Sequence, residues 1–153
     1  MYGYQAQAEL DGSDEVPFNP EAALAEARQF AVSGDIDILP NFFKELEILT
    51  DIWMDRLNAS APASWQPAHL ILARYFVDRY WLQAVSDYDL VSRVKLLVIS
   101  CLMIRQLGGD MISTAQLYSK EIENSIDNIE AILDGAYTCP AFTDDKLLGF
   151  LLQ

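Results

Sequence analysis

Residues 89–107 run for about 19 positions without a glycine or proline, and their middle, Leu96-Leu97-Val98-Ile99-Ser100-Cys101-Leu102-Met103-Ile104, offers no polar face. A segment apolar on every side has to be enclosed by the rest of the chain. Its strongly apolar part is about half the roughly 20 residues needed to cross a bilayer. As a strand it would be too long, since strands usually take roughly 3–10 residues. The stretch predicts a buried helix, begun by Asp87 or Asp89 and stopped by Gly108-Gly109.

Five more helical segments read from caps and periodicity. Asn19-Pro20-Glu21 is a cap, a proline and an acid in first-turn order, so a helix is expected over 20–33, before Gly34. Phe42, Phe43, Leu46, Leu49, Ile52, Trp53 and Leu57 recur at spacings of three and four, predicting a helix over 41–58. Pro67 opens a third over 66–86, which is apolar on several faces and therefore reads as a second central helix. Ser113 with Gln116 forms a capping box for a helix over 113–134, ended by Gly135. A short terminal helix is expected over 146–152.

No alternating strand pattern or repeat appears. The fold class expected is all-α, a single-domain bundle of about six helices with two central apolar ones. Residues 1–18, acidic and without Lys or Arg, form a loose or partly ordered lead-in, and 19–153 form the bundle domain. At 153 residues, 52% of them apolar, the chain can build a core without disulfides or a structural metal. No basic or strongly apolar segment comes after Met1, so a cytoplasmic location is expected, with reduced thiols at Cys101 and Cys139.

The formal charge of -13 disfavours phosphate backbones, so nucleic acid is not an expected partner, nor is a membrane. Charge is unevenly distributed. Residues 1–58 hold 12 acids against 3 bases, 59–109 hold 3 against 5, and 110–153 hold 8 against 2. Arg74, Arg79, Arg93, Lys95 and Arg105 thus lie on the two most apolar helices and the acids on those around them. Ion pairs between helices would satisfy these cations. The functional alternative is an arginine-lined and aromatic-lined crevice for a carboxylate or phosphate.

Site signals are few. His69 is the only histidine, is expected at the surface or as a cap, and has no zinc-type partner, so no metal site is expected. Gly108-Gly109-Asp110 lacks the subsequent Lys and Ser or Thr of a phosphate loop. The sharpest pattern is Tyr118-Ser119-Lys120-Glu121-Ile122-Glu123-Asn124-Ser125. On an uninterrupted helix Tyr118, Glu121, Ser125 and Asn128 share one side, and Lys120, Glu123, Asn124 and Asp127 another. A glutamate at the border is a general base if desolvated, or else a partner for Arg74 or Arg79. The candidate binding residues are Arg74, Arg79, Tyr118, Glu121, Glu123 and Asn124, and no catalytic residue is assigned.

Two stretches carry a resemblance. Arg74-Tyr75-Phe76-Val77-Asp78-Arg79-Tyr80-Trp81-Leu82-Gln83-Ala84-Val85, on through Asp87-Tyr88-Asp89-Leu90, is similar to the C-terminal half of flagellin lysine-N-methylases, and so is the Tyr118 to Ser125 run with Asn128. The likeness spans about 40–134. It implies a bacterial protein connected with S-adenosylmethionine-dependent methylation of flagellin lysines, with S-adenosylmethionine as cofactor by resemblance only. That family has an N-terminal cysteine cluster, which this chain, with only Cys101 and Cys139, cannot build. The resemblance therefore implies an accessory or substrate-docking domain, either the helical part of a longer methylase or a stand-alone relative, with flagellin or the missing cysteine-cluster region as partner. A small-ligand-binding sensor domain is the alternative, and a homodimer through the apolar face of 146–152 is a third expectation.

Mixing this chain with S-adenosylmethionine and unmethylated flagellin should give no methyl transfer. Flagellin binding should weaken as ionic strength rises. Turnover in a radiolabelled methyl-transfer assay, or salt-independent binding, would remove the docking expectation.

Overall fold

The computed structural model describes residues 18–153, so the expected lead-in lies almost wholly outside the described residues. Every regular element among the described residues is helical: α1 (Pro20–Phe30), α2 (Ile38–Lys44), α3 (Asp51–Asn58), α4 (Ala68–Tyr80), α5 (Gln83–Asp87), α6 (Leu90–Leu107), α7 (Met111–Tyr118), a π-helical turn (Ser119–Glu123), α8 (Ile126–Thr138) and α9 (Asp144–Leu152). The chain divides into two compact units. One holds α1 and the other runs over Ala31–Gln153. Within its own unit α1 is capped as expected: Asn19 Oδ1 accepts from the Glu21 and Ala22 amides at 3.0 and 3.1 Å. It ends at Phe30, three residues short of the sequence expectation.

The second unit is built around α6. Asp89 caps it by accepting from the Ser92 amide at 3.1 Å, and every residue from Cys101 to Leu107 is buried. Helices α2, α4, α7, α8 and α9 all pack against it. Its stop is Gly108, held at a φ of 63°, where an added Cβ would stand 2.0 Å from the Ala61 carbonyl oxygen. The second expected central helix is not central. α4 buries His69, Leu72, Phe76 and Tyr80 on one side and leaves Leu70 and Ile71 75% and 73% exposed.

Three further boundaries are corrected by hydrogen bonding. The helix expected over 41–58 is two helices with a non-helical link, because the link's amides bond elsewhere. The 66–86 helix is interrupted after Tyr80, with α5 beyond it as a separate short helix. The helix expected over 113–134 starts at Met111, since Asp110 Oδ2 takes the Ser113 amide at 2.9 Å and serves as the cap. It breaks at the π turn and resumes as α8, which runs through Gly135 to Thr138. Gly135 lies inside that helix because Phe42 packs on it: an added Cβ would be 3.0 Å from the Phe42 ring. The terminal helix starts at Asp144 and buries Leu147 and Phe150 in the unit's own core, while Leu152 is 40% exposed.

Tyr118 occupies the aromatic centre. Its fully buried ring lies 6.0 Å from Phe43, 6.1 Å from Trp53 and 6.0 Å from Phe76, mostly edge-on. Its hydroxyl meets Ser100 Oγ at 2.8 Å, and Ser100 donates to the Leu96 carbonyl at 2.7 Å. Burial drives the Tyr118 hydroxyl well above its ordinary value near 10.0. A raised folded-state value means that the unfolded chain loses this proton first, so stability falls once the pH passes about 10. Tyr118→Phe should fold at neutral pH and lessen the alkaline loss by about 1.4 kcal/mol per pH unit above pH ~10. Urea denaturation at a series of alkaline pH values measures it, and an unchanged slope refutes it.

Candidate functional site

The π turn fixes the polar interior. A π turn bonds five residues back, and here the Asn124 amide reaches the Ser119 carbonyl at 3.1 Å. The extra residue rotates the chain beyond it. Tyr118, Glu121, Ser125 and Asn128 all face inward, as their spacing predicts, and Lys120, Asn124 and Asp127 face solvent. Glu123 departs from its expected side: its side chain is only 3% exposed and turns toward α4.

Glu121 and Asn128 bind the link between α2 and α3. Asn128 Oδ1 accepts from the Glu47 amide and Nδ2 donates to the Glu47 and Glu121 carbonyls, each at 2.9 Å. Glu121 is fully buried; one carboxylate oxygen accepts from the Leu49 amide at 2.9 Å and the other from the Thr50 hydroxyl. Thr50 in turn caps α3, accepting from the Trp53 amide at 3.3 Å. Ser125 donates to the Glu47 carboxylate at 3.0 Å and caps α8 by accepting from the Asn128 amide at 3.2 Å. Among the described residues no arginine pairs with Glu121. Its carboxylate oxygens are committed to groups that hold the chain together.

Glu123 is the glutamate that pairs with an arginine. Arg79 Nε lies 3.5 Å from its carboxylate, and the hydroxyls of Tyr75 and Tyr80 donate to it at 3.0 and 2.9 Å. Desolvation first, and then the Glu123 carboxylate, raise both tyrosine hydroxyls above their ordinary range. Arg74 stands apart from this cluster, paired within α4 to Asp78 at 3.6 Å in the open. Asn124 is exposed and joins no buried group. Of the six candidates, the structure brings Arg79 and Glu123 together, sets Tyr118 and Glu121 in the interior, and leaves Arg74 and Asn124 outside.

The other central cations bind backbone as well as acids. Lys95 Nζ donates to the Ala136 and Phe142 carbonyls at 3.0 and 2.9 Å and meets Asp144 at 2.9 Å. Arg93 pairs with Asp87. Arg105 Nε donates to the Ala63 carbonyl at 2.9 Å, and its guanidinium lies 4.8 Å over the Trp65 ring. Sequence reasoning also missed Arg56, which donates to the Gly108 carbonyl at 2.8 Å and Thr114 Oγ1 at 2.9 Å. A carbonyl acceptor carries no residue-type signal, so these partners were invisible in the sequence.

Beside Trp65 opens a groove of about 490 Å³. Trp65, Gln66 and Pro67 form one edge, His69, Leu70 and Ala73 come from α4, Leu97, Val98 and Cys101 from α6, and Leu151 from α9. His69 is buried rather than at the surface, and its Nδ1 accepts from the Gln66 amide at 3.0 Å just ahead of α4. Its ring sits edge-on to Trp65 with centroids 5.1 Å apart. Burial pushes the Cys101 thiol up to about 12, so it remains protonated in the wall. No arginine lines this groove; Arg105 lies behind Trp65. The one signal that could have pointed to it is the Trp65-Gln66-Pro67-Ala68-His69 entry to a helix apolar on several faces.

Among the described residues no group of His, Cys, Asp and Glu is arranged to hold a metal, and no helix is long and apolar enough to cross a membrane. Comparisons with family models, with curated proteins and with solved structures gave no match.

Asn128→Ala leaves the Glu47 amide and the Glu47 and Glu121 carbonyls without partners. It should cost about 2–4 kcal/mol of stability in urea denaturation. Arg79→Ala should cost far less, because that guanidinium is 54% exposed and its ion pair is screened. Equal effects would show that the Asn128 bonds are not what holds the link.

Proposed function

We propose that this chain is a small-ligand-binding helical domain whose site is the groove between α4, α6 and α9, and that it carries out no chemistry alone. The supporting observation is that the buried polar candidates are bonded within the chain, whereas the groove is open and its wall is apolar. A carboxylate that already accepts from an amide and a hydroxyl is poorly placed to take a substrate proton. A concave, largely apolar site of about 490 Å³ falls in the roughly 300–1,000 Å³ range of small-molecule pockets. The aromatic lining is Trp65 and His69, without the arginines that the sequence suggested.

A second reading, docking of a lysine-bearing segment, has its own support. Asp127, Glu130 and Asp134 are exposed along one face of α8, where a cationic partner would find a negative field. By resemblance that partner is flagellin or a methylase's cysteine-cluster region, with S-adenosylmethionine bound there, and the setting is a bacterial cytoplasm. Groove and acidic face are separate surfaces, so the two readings are compatible.

Ala73 is the smallest side chain in the wall, and Ala73→Phe should fill the groove. An apolar ligand that binds the folded wild type should raise its melting temperature, by the equivalent of about 2.7 kcal/mol at 100 times its dissociation constant. The variant should lose that shift while keeping its helical circular dichroism. A retained shift in the variant would place binding elsewhere.

A further inference from the structure

The walls of the groove restrict its occupant by charge, by size and by a ring donor on His69. None of the ten lining residues carries a formal charge when His69 is neutral, and the Cys101 thiol stays protonated. A charged ligand would lose hydration there without gaining a partner. An anion would, in addition, approach against the field of a chain with a net charge of -13. A small molecule fits the size.

The donor is identified by the bonding around His69. The Gln66 amide lies 3.0 Å from Nδ1, and an amide N–H can only donate. The Gln66 carbonyl, 3.2 Å from the same nitrogen, already accepts from the His69 amide at 2.9 Å. Nδ1 is therefore the acceptor, and the neutral ring carries its proton on Nε2. That N–H has no hydrogen-bond partner among the described residues, yet it is not sealed away as a buried unsatisfied atom. It is the free side-chain donor on the His69 ring in a wall that is otherwise nearly all apolar.

Resting on the groove being a ligand site, we propose that it takes an uncharged, mainly apolar small molecule with one hydrogen-bond acceptor, of the aromatic ketone or ester class, and that His69 Nε2–H donates to that acceptor. The apolar body lies along Leu70, Ala73, Leu97, Val98 and Leu151, where burial supplies the affinity. The His69 donor sets orientation and selects against a hydrocarbon of the same shape, with the Trp65 indole and the Gln66 side-chain amide at the rim of the same lining.

Three probes with one aromatic body separate these claims: acetylnaphthalene, neutral with an acceptor; ethylnaphthalene, neutral without one; and naphthoate, an anion. Their affinities are measured by calorimetry on the full chain and on His69→Asn. Asparagine keeps a side-chain acceptor for the Gln66 amide and lacks the distal ring N–H. The ketone should bind the wild type about fivefold more tightly than the ethyl compound, the worth of one neutral hydrogen bond. Naphthoate should bind weakest, and H69N should weaken the ketone alone until the two neutral probes match. A wild-type gap under about twofold, a preference for naphthoate, or a gap that survives in H69N overturns this ligand class and leaves the groove reading standing. If H69N does not fold, the wild-type ranking decides by itself. No binding of any probe to the wild type overturns the groove reading and this proposal together.

Discussion

The link at 45–50 depends on two side chains more than 70 residues away. Its backbone has left the helix, and buried amides and carbonyls without partners are costly. Glu121 and Asn128 supply those partners. With the link held, α2 and α3 fold back on each other and bring Phe43 and Trp53 to the same tyrosine. Tyr118, Glu121, Ser125 and Asn128 face inward together from α7, the π turn and the start of α8. Aromatic packing and the polar network are consequently one cooperative unit, and loss of either releases the other.

A similar coupling shapes the groove. Helix α6 is enclosed because its circumference is apolar, and its cations act as fasteners. Lys95 draws in the segment around Phe142 and Asp144 that begins α9, and Arg105 fixes Ala63 and lies over Trp65. Leu151 and Trp65 are two walls of the groove. Charged groups thus shape a site that they do not line. A guanidinium bonded to a carbonyl and lying on an aromatic face has its own hydration replaced, so little of its charge is offered to a ligand.

Whatever repeats along a helix was legible in the sequence. The buried middle of α6 could be read from composition, and the inward set of Tyr118, Glu121, Ser125 and Asn128 from spacing. That a glutamate of the 118–125 run meets Arg74 or Arg79 could be read from the charge partition, and the pair that forms is Arg79 with Glu123. The break at 45–50 was not legible, because that stretch has no glycine or proline and continues the apolar period through Leu46 and Leu49. Its cause is tertiary, a carboxylate and a side-chain amide that compete with the helix for the same backbone groups. Helix α4 was misread for a different reason. Its apolar residues surround the helix, but only one side meets the core, and nothing local says that Leu70 and Ile71 remain in water.

Those exposed residues bear on function. A catalytic site gathers polar groups in a cleft and keeps some of them uncommitted, whereas here Glu121, Glu123 and Tyr118 are hydrogen-bonded within the unit. Apolar area is distributed the other way. Leu70 is at once a wall of the groove and an exposed residue of α4, with Ile71 beside it. Contiguous apolar surface in water is unfavourable, and in folded proteins it marks a place where something binds. Hydrophobic attraction has no direction, so on the proposed reading the groove needs at least one oriented polar group to tell ligands apart. On the proposed reading His69 is suited to that task, because the Gln66 amide that donates to its Nδ1 leaves Nε2 to carry the proton of the neutral ring.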